Sequence, residues 1–83
     1  MYNEVLEKVI KIYKEQLCTD MLITEDSSIM DDLDMTSIDI FHTLAELECE
    51  FDIEIYDEEL REMIYIKDVV NIICKRLEEQ QNG

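Results

Sequence analysis

Apolar residues recur at steps of three and four near the start of the chain: Tyr2, Val5, Leu6, Val9, Ile10, Tyr13 and Leu17. Lys and Glu fill the positions between them. One apolar stripe with a charged reverse side predicts an amphipathic helix over about residues 2–18. The periodicity then stops. Residues 19–36 collect Thr19, Asp20, Thr24, Asp26, Ser27 and Ser28, which predicts a loop long enough to be functional or self-packed. Leu22, Ile23, Ile29 and Leu33 are expected to pin it to the core. A second helix is expected from near Ser37, with Ile38, Phe41, Leu44, Leu47, Cys49 and Phe51 supplying its apolar residues and Asp34 or Thr36 its N-cap. Beyond Phe51, Ile53 and Ile55 alternate with acids through a connector. Asp57, Glu58 and Glu59 open a short helix to about Met63, their charges suited to the positive end of its dipole. A last helix is expected from about Ile66 to Leu77, with Ile66, Val69, Val70, Ile73 and Leu77 inward.

Three longer helices and one short one predict an all-α, small four-helix bundle with a long loop between helices 1 and 2. Composition agrees: the 83 residues include no proline and a single glycine, Gly83, whereas sheet proteins of this size use Gly, Asn or Pro in their tight turns. The pattern has no repeat and no linker, so a single domain is expected over 1–77, with 78–83 as a frayed C-terminal tail. A chain of this length builds one modest core and has little room for a deep catalytic cleft.

Charge sharpens the picture. The formal net charge is -15, and all of it lies in the middle of the chain. Residues 1–18 and 66–83 are each neutral, while residues 19–65 hold sixteen acids against one base, Arg61. Such a field repels nucleic acid and anionic membrane surfaces and steers basic partners, although acidic faces also serve solubility alone. Three widely spaced cysteines, Cys18, Cys49 and Cys74, and one histidine, His42, do not make a metal site. Free thiols suit a reducing compartment. With no signal-peptide pattern at Met1 to Glu7 and no apolar run of membrane-spanning length, a cytoplasmic protein without membrane insertion is expected.

The candidate chemistry is sparse. Ser37 with His42 is the only formal nucleophile–base pair, but the two point in different directions on a helix, and no glycine permits a nucleophile elbow. No catalytic residue is expected, and His42 reads as a surface residue. Asp32-x-Asp34-x-Thr36 resembles the start of a calcium loop, yet Ser37 and Thr43 stand where Gly and Glu are required; no specific metal site is expected. What remains is a serine at the start of an amphipathic helix, behind a long loop and within an acidic segment. A phosphate ester suits that position, because free amides and the helix dipole favour an anion. Capping of the helix by Ser37 explains the same residue equally well.

The stretch Leu33-Asp34-Met35-Thr36-Ser37-Ile38-Asp39 resembles the carrier motif of the acyl carrier protein family, in which a serine is followed by an aliphatic residue and often an acid. Phe51-Asp52-Ile53-Glu54-Ile55 matches the family's end of the second helix, and Asp57-Glu58-Glu59 and Lys67-Asp68-Val69-Val70 fall where its third and fourth helices begin. The register holds without a gap from about Thr24 to Ile73. Departures are present: Asp34 stands at a common glycine, Thr36 at an aspartate, Tyr56 at a connector proline, Tyr65 at a threonine cap, and His42 and Cys49 at frequent acids.

The resemblance implies a non-catalytic carrier, monomeric, whose covalent 4'-phosphopantetheine on Ser37 holds acyl groups of a fatty acid, polyketide or specialised pathway as thioesters. Its implied partners are a phosphopantetheinyl transferase and acyl-chain enzymes with basic surface patches. Asp39, Glu46, Glu48, Glu50, Asp57 and Glu58 would face those patches. Phe41, Leu47, Ile55, Leu60 and Met63 are candidates to line an acyl pocket. Two rivals are an acidic interaction module that is never modified and a peptidyl or aminoacyl carrier, whose relatives are typically less acidic.

Overall fold

The structure is a computed structural model that describes residues 1–82, with side chains as far as Gln80. Its elements are α1 (Tyr2–Leu17), α2 (Ser37–Phe51), α3 (Asp57–Leu60) and α4 (Ile66–Asn82). α1 packs against both α4 and α2. The stripe of α1 is inward as expected: Val5, Val9 and Tyr13 are buried, with Tyr2, Leu6, Ile10 and Leu17 half-buried around them. They meet Ile66, Val69, Val70 and Ile73 of α4 and Leu47 of α2 in one core. Among the described residues, no strand forms and no helix is long and apolar enough to cross a membrane.

The long loop is held by backbone pairing as well as by side chains. Ile29 N–H donates to Ile64 O (2.9 Å), Ile66 N–H to Ser27 O (3.1 Å) and Lys67 N–H to Glu25 O (2.9 Å). These bonds stitch the loop to the first residues of α4 and to the segment just ahead of it, where Ser28 and Tyr65 form an isolated bridge. Ile23, Ile29, Leu33 and also Met35 are buried beneath it. Leu22 is not one of these pins: it is 80% exposed.

Two helix boundaries differ from expectation. α3 ends at Leu60, and the chain continues in tighter bonds from Glu62 N–H to Glu59 O and from Met63 N–H to Leu60 O. α4 runs on to Asn82, past the expected end near Leu77, because distant groups hold its last turns. Gln80 donates to Asp52 O (2.7 Å), and Arg76 reaches Glu79 (3.1 Å), Glu54 O (3.2 Å) and Glu59 (2.6 Å). Gly83, the end of the expected tail, lies outside the described residues.

Turns that would favour glycine are made without it. Cys18, Asp34 and Asp52 have φ of 50°, 52° and 53°. Cys18 and Asp52 close α1 and α2 in the left-handed conformation common just past a helix end. Asp34 shows why glycine is common in the carrier motif at this point, two residues before the cap of α2: the backbone there is left-handed.

Candidate functional site

The start of α2 is set by Thr36, the residue before Ser37. Thr36 is extended (φ -85°, ψ 171°), and its hydroxyl oxygen accepts from Asp39 N–H at 3.3 Å. Asp39 answers by accepting from Thr36 N–H (3.1 Å) and from the Thr36 hydroxyl (3.0 Å). This reciprocal capping box satisfies donors that a helix start leaves open. The bonds from Thr36, backbone first, hold the Asp39 carboxyl below its ordinary value, with His42 adding to the effect.

With Thr36 as cap, Ser37 is released from that duty. It occupies the first position of α2 and is exposed. The chain has seven aliphatic hydroxyls, and six of them are tied. Thr19, Thr24, Ser27 and Ser28 accept from nearby backbone N–H groups, Thr36 is the cap, and buried Thr43 donates to Asp39 O at 2.9 Å. Ser37 alone has no hydrogen-bond partner among the described residues. Its neighbouring amides at the helix start point along the axis with the dipole behind them, which favours an added anion. The geometry fits a phosphate ester at this hydroxyl.

The expected acidic face is divided. Glu46 and Glu50 are exposed but line a groove of about 260 Å³ with Lys8, Lys11, Ile12 and Glu15 of α1. Half-buried Glu48 accepts from Ile55 N–H at 3.1 Å and so ties the connector to α2. Asp39 is occupied by Thr36. Asp57 and Glu58 are exposed at the start of α3. Beside Ser37 the outward residues are apolar: Ile38 is 67% and Phe41 59% exposed. Neither joins the core stripe expected of α2, and Cys49 is exposed too.

A cleft of about 380 Å³ opens between the loop, α2 and α3, lined among others by Tyr13, Ile29, Ile40, Leu60 and Met63. Of the five expected pocket residues, Leu60 and Met63 line it. Leu47 is wholly in the core, Ile55 is half-buried in the connector, and Phe41 is turned to the surface. Ile40 and Tyr13 were not expected there. The signal for Ile40 is its spacing: it stands three residues after Ser37, about 4.5 Å along the helix axis.

The departures at the connector have local uses. Tyr56 N–H donates to Glu59 (3.1 Å), a bond that proline cannot make, and its ring packs 4.8 Å from the Arg76 guanidinium. Ahead of α4, where a threonine cap is common, Asp68 accepts from Ile64 N–H (3.2 Å) and Tyr65 N–H (2.9 Å).

A small helical bundle with an accessible serine at the start of its second helix has the geometry to carry a phosphate-linked arm. Residues 7–73 match the family described as "Phosphopantetheine attachment site". The acyl carrier protein of Clostridium acetobutylicum is 45% identical over 76 residues, spanning 90% of this chain and 99% of that protein. That of Campylobacter lari is 36% identical over 70 residues, spanning 83% and 91%. The crystal structure of an acyl carrier protein from Thermotoga maritima is similar with a TM-score of 0.80 at 29% identity, covering 94% of this chain and 92% of that one. The chain belongs to the acyl carrier protein family, whose cofactor is 4'-phosphopantetheine, and it is a carrier, not an enzyme. Its role implies interaction with acyl-handling enzymes.

Proposed function

We propose that Ser37 is the residue to which a phosphopantetheinyl transferase joins 4'-phosphopantetheine, within a single carrier domain that takes in the last turns of α4 beyond the expected boundary at residue 77. The observation that carries this reading is that Ser37 is the one aliphatic hydroxyl left without a partner among the described residues, exposed at a helix start that Thr36 already caps. When bound, the arm supplies a thiol that holds an acyl group as a thioester for enzymes of a fatty acid, polyketide or specialised acyl pathway. The protein supplies the platform: Thr36 and Asp39 fix the helix start, and the helix dipole offsets the phosphate charge.

Acyl-handling enzymes meet a mixed surface. Exposed Ile38 and Phe41 offer apolar contact beside Ser37, while Asp57 and Glu58 offer charge to basic patches. Exposed charge pairs are individually weak and salt-screened, which suits rapid exchange of partners. Three free thiols and the charge of -15 support a monomer in the cytoplasm.

Incubation with coenzyme A and a broad-specificity phosphopantetheinyl transferase tests the reading by intact mass. Wild type gains the mass of one arm and Ser37→Ala gains none. An unmodified wild type would instead leave an acidic module that binds partners without an arm.

A further inference from the structure

Tyr13 is the polar exception in the core that lies over the cleft. The residue is 2% exposed, on the α1 stripe between Val9 and Leu17. Its hydroxyl has no hydrogen-bond partner among the described residues. Buried Thr43 has one, and Tyr2, the other tyrosine of α1, donates to Glu25 at 2.9 Å. Among the described residues, every side-chain polar atom that is fully occluded has a partner. The unpaired Tyr13 hydroxyl is therefore not fully occluded and borders open space. The space that Tyr13 lines is the cleft shared with Ile40, Leu60 and Met63. Water can reach the hydroxyl there while the cleft is empty, and a ligand that displaces this water without accepting a bond incurs a desolvation cost that phenylalanine, of the same shape, would not.

The cleft is small and largely apolar, near the lower end of the roughly 300–1,000 Å³ found for small-molecule sites. It opens beside α2 within one turn of Ser37, since Ile40 belongs to its wall. Saturated hydrocarbon entering it would strip water from the Tyr13 hydroxyl and return no bond. A chain bearing an oxygen would return one.

We propose that this cleft favours acyl cargo carrying a hydroxyl or ketone oxygen along the chain, with the Tyr13 O–H donating to that oxygen and so determining specificity. The inference rests on the carrier reading above and concerns the substrate class of the same protein. Burial pushes the Tyr13 hydroxyl well above its ordinary value, so it remains a protonated donor at neutral and mildly alkaline pH. Selectivity follows from the asymmetry of buried polar groups: a site holding a fixed donor disfavours an otherwise matched ligand that cannot accept its bond.

The test loads the protein enzymatically with pantetheine analogues bearing saturated chains or chains of the same length hydroxylated at the β carbon or further along. Intact mass first reports loading, and melting temperature and the NMR signals of the Tyr13 ring are then compared. At least one hydroxylated cargo should melt about 4–8 °C above its saturated counterpart, the shift expected of one good hydrogen bond in a domain this size. It should also show contacts from the carbinol proton to the Tyr13 ring. Tyr13→Phe should load equally, melt no lower than wild type when its arm is bare, and lose the difference between cargoes. Equal melting across the wild-type series, or a difference that survives in Tyr13→Phe, overturns the inference while the loaded mass leaves the carrier reading standing. An absent arm in the mass spectrum overturns the carrier reading and this inference with it.

Discussion

Replacing Thr36 or Ser37 by alanine distinguishes the two adjacent hydroxyls by what each does for folding. Thr36→Ala removes the acceptor for Asp39 N–H and the hydroxyl donor to the Asp39 carboxylate. Loss of an N-cap costs about 0.5–2 kcal/mol. Because the box here is reciprocal, the upper half of that range is expected, about 1–2 kcal/mol, or about 4–16 °C in melting temperature for a domain of this size. Ser37→Ala removes a hydroxyl that bonds to nothing described and places a better helix former at the same point. It should change stability by less than about 0.5 kcal/mol. Urea unfolding followed by circular dichroism, at one pH and ionic strength, measures both.

Acid provides a second reading of the same box. The folded-state value of Asp39 is depressed, so its contribution is present above the unfolded value of about 3.9 and is lost as pH falls through the depressed one. Wild type should therefore lose more stability than Thr36→Ala between neutral pH and the acid side of that window. A Ser37→Ala variant destabilised as much as Thr36→Ala would refute the assignment of the cap, and with it the argument that Ser37 is spared from structural work.

The remaining predictions concern the frame around the site. Cys18→Gly relieves a left-handed residue at the end of α1. A net gain of about 0.5–1 kcal/mol in urea unfolding is expected after allowing for the greater freedom of glycine in the unfolded chain. Arg76→Lys keeps the charge but loses the planar fork that joins Glu54 O, Glu59 and Glu79 and lies over Tyr56. The amides of residues 54–56 should then exchange hydrogen faster, while those of α1 stay protected. Millimolar magnesium or added salt should raise the melting temperature by screening residues 19–65; indifference to both would contradict a self-repelling middle segment.

The outer helices were legible because burial and periodicity coincide in them: Val5, Val9, Tyr13, Val69, Val70 and Ile73 are both the repeating residues and the core. α2 was legible only in part. An apolar residue on a helix reads the same whether it meets a core or a partner, so Ile38 and Phe41 looked like core until their exposure separated them from Leu44 and Leu47. The end of α4 depends on Gln80 meeting Asp52 and Arg76 meeting Glu54 and Glu59, contacts that join distant parts of the chain and leave no periodic trace. Within the site, the carrier motif pointed to Ser37, but capping and attachment competed for the same serine. The extended backbone of Thr36 and the reply from Asp39 decide who caps, and neither is a property of residue type alone. Tyr13 was hidden for the opposite reason: its place in the apolar stripe concealed the one atom that is not apolar.

Of the seven aliphatic hydroxyls, Ser37 is the proposed attachment point. Fragmentation mass spectrometry of the transferase-treated wild-type chain tests it residue by residue. The arm is expected on Ser37 alone, with Thr36 unmodified beside it. An arm on Thr36 or any other hydroxyl, or a chain recovered without one, would contradict it.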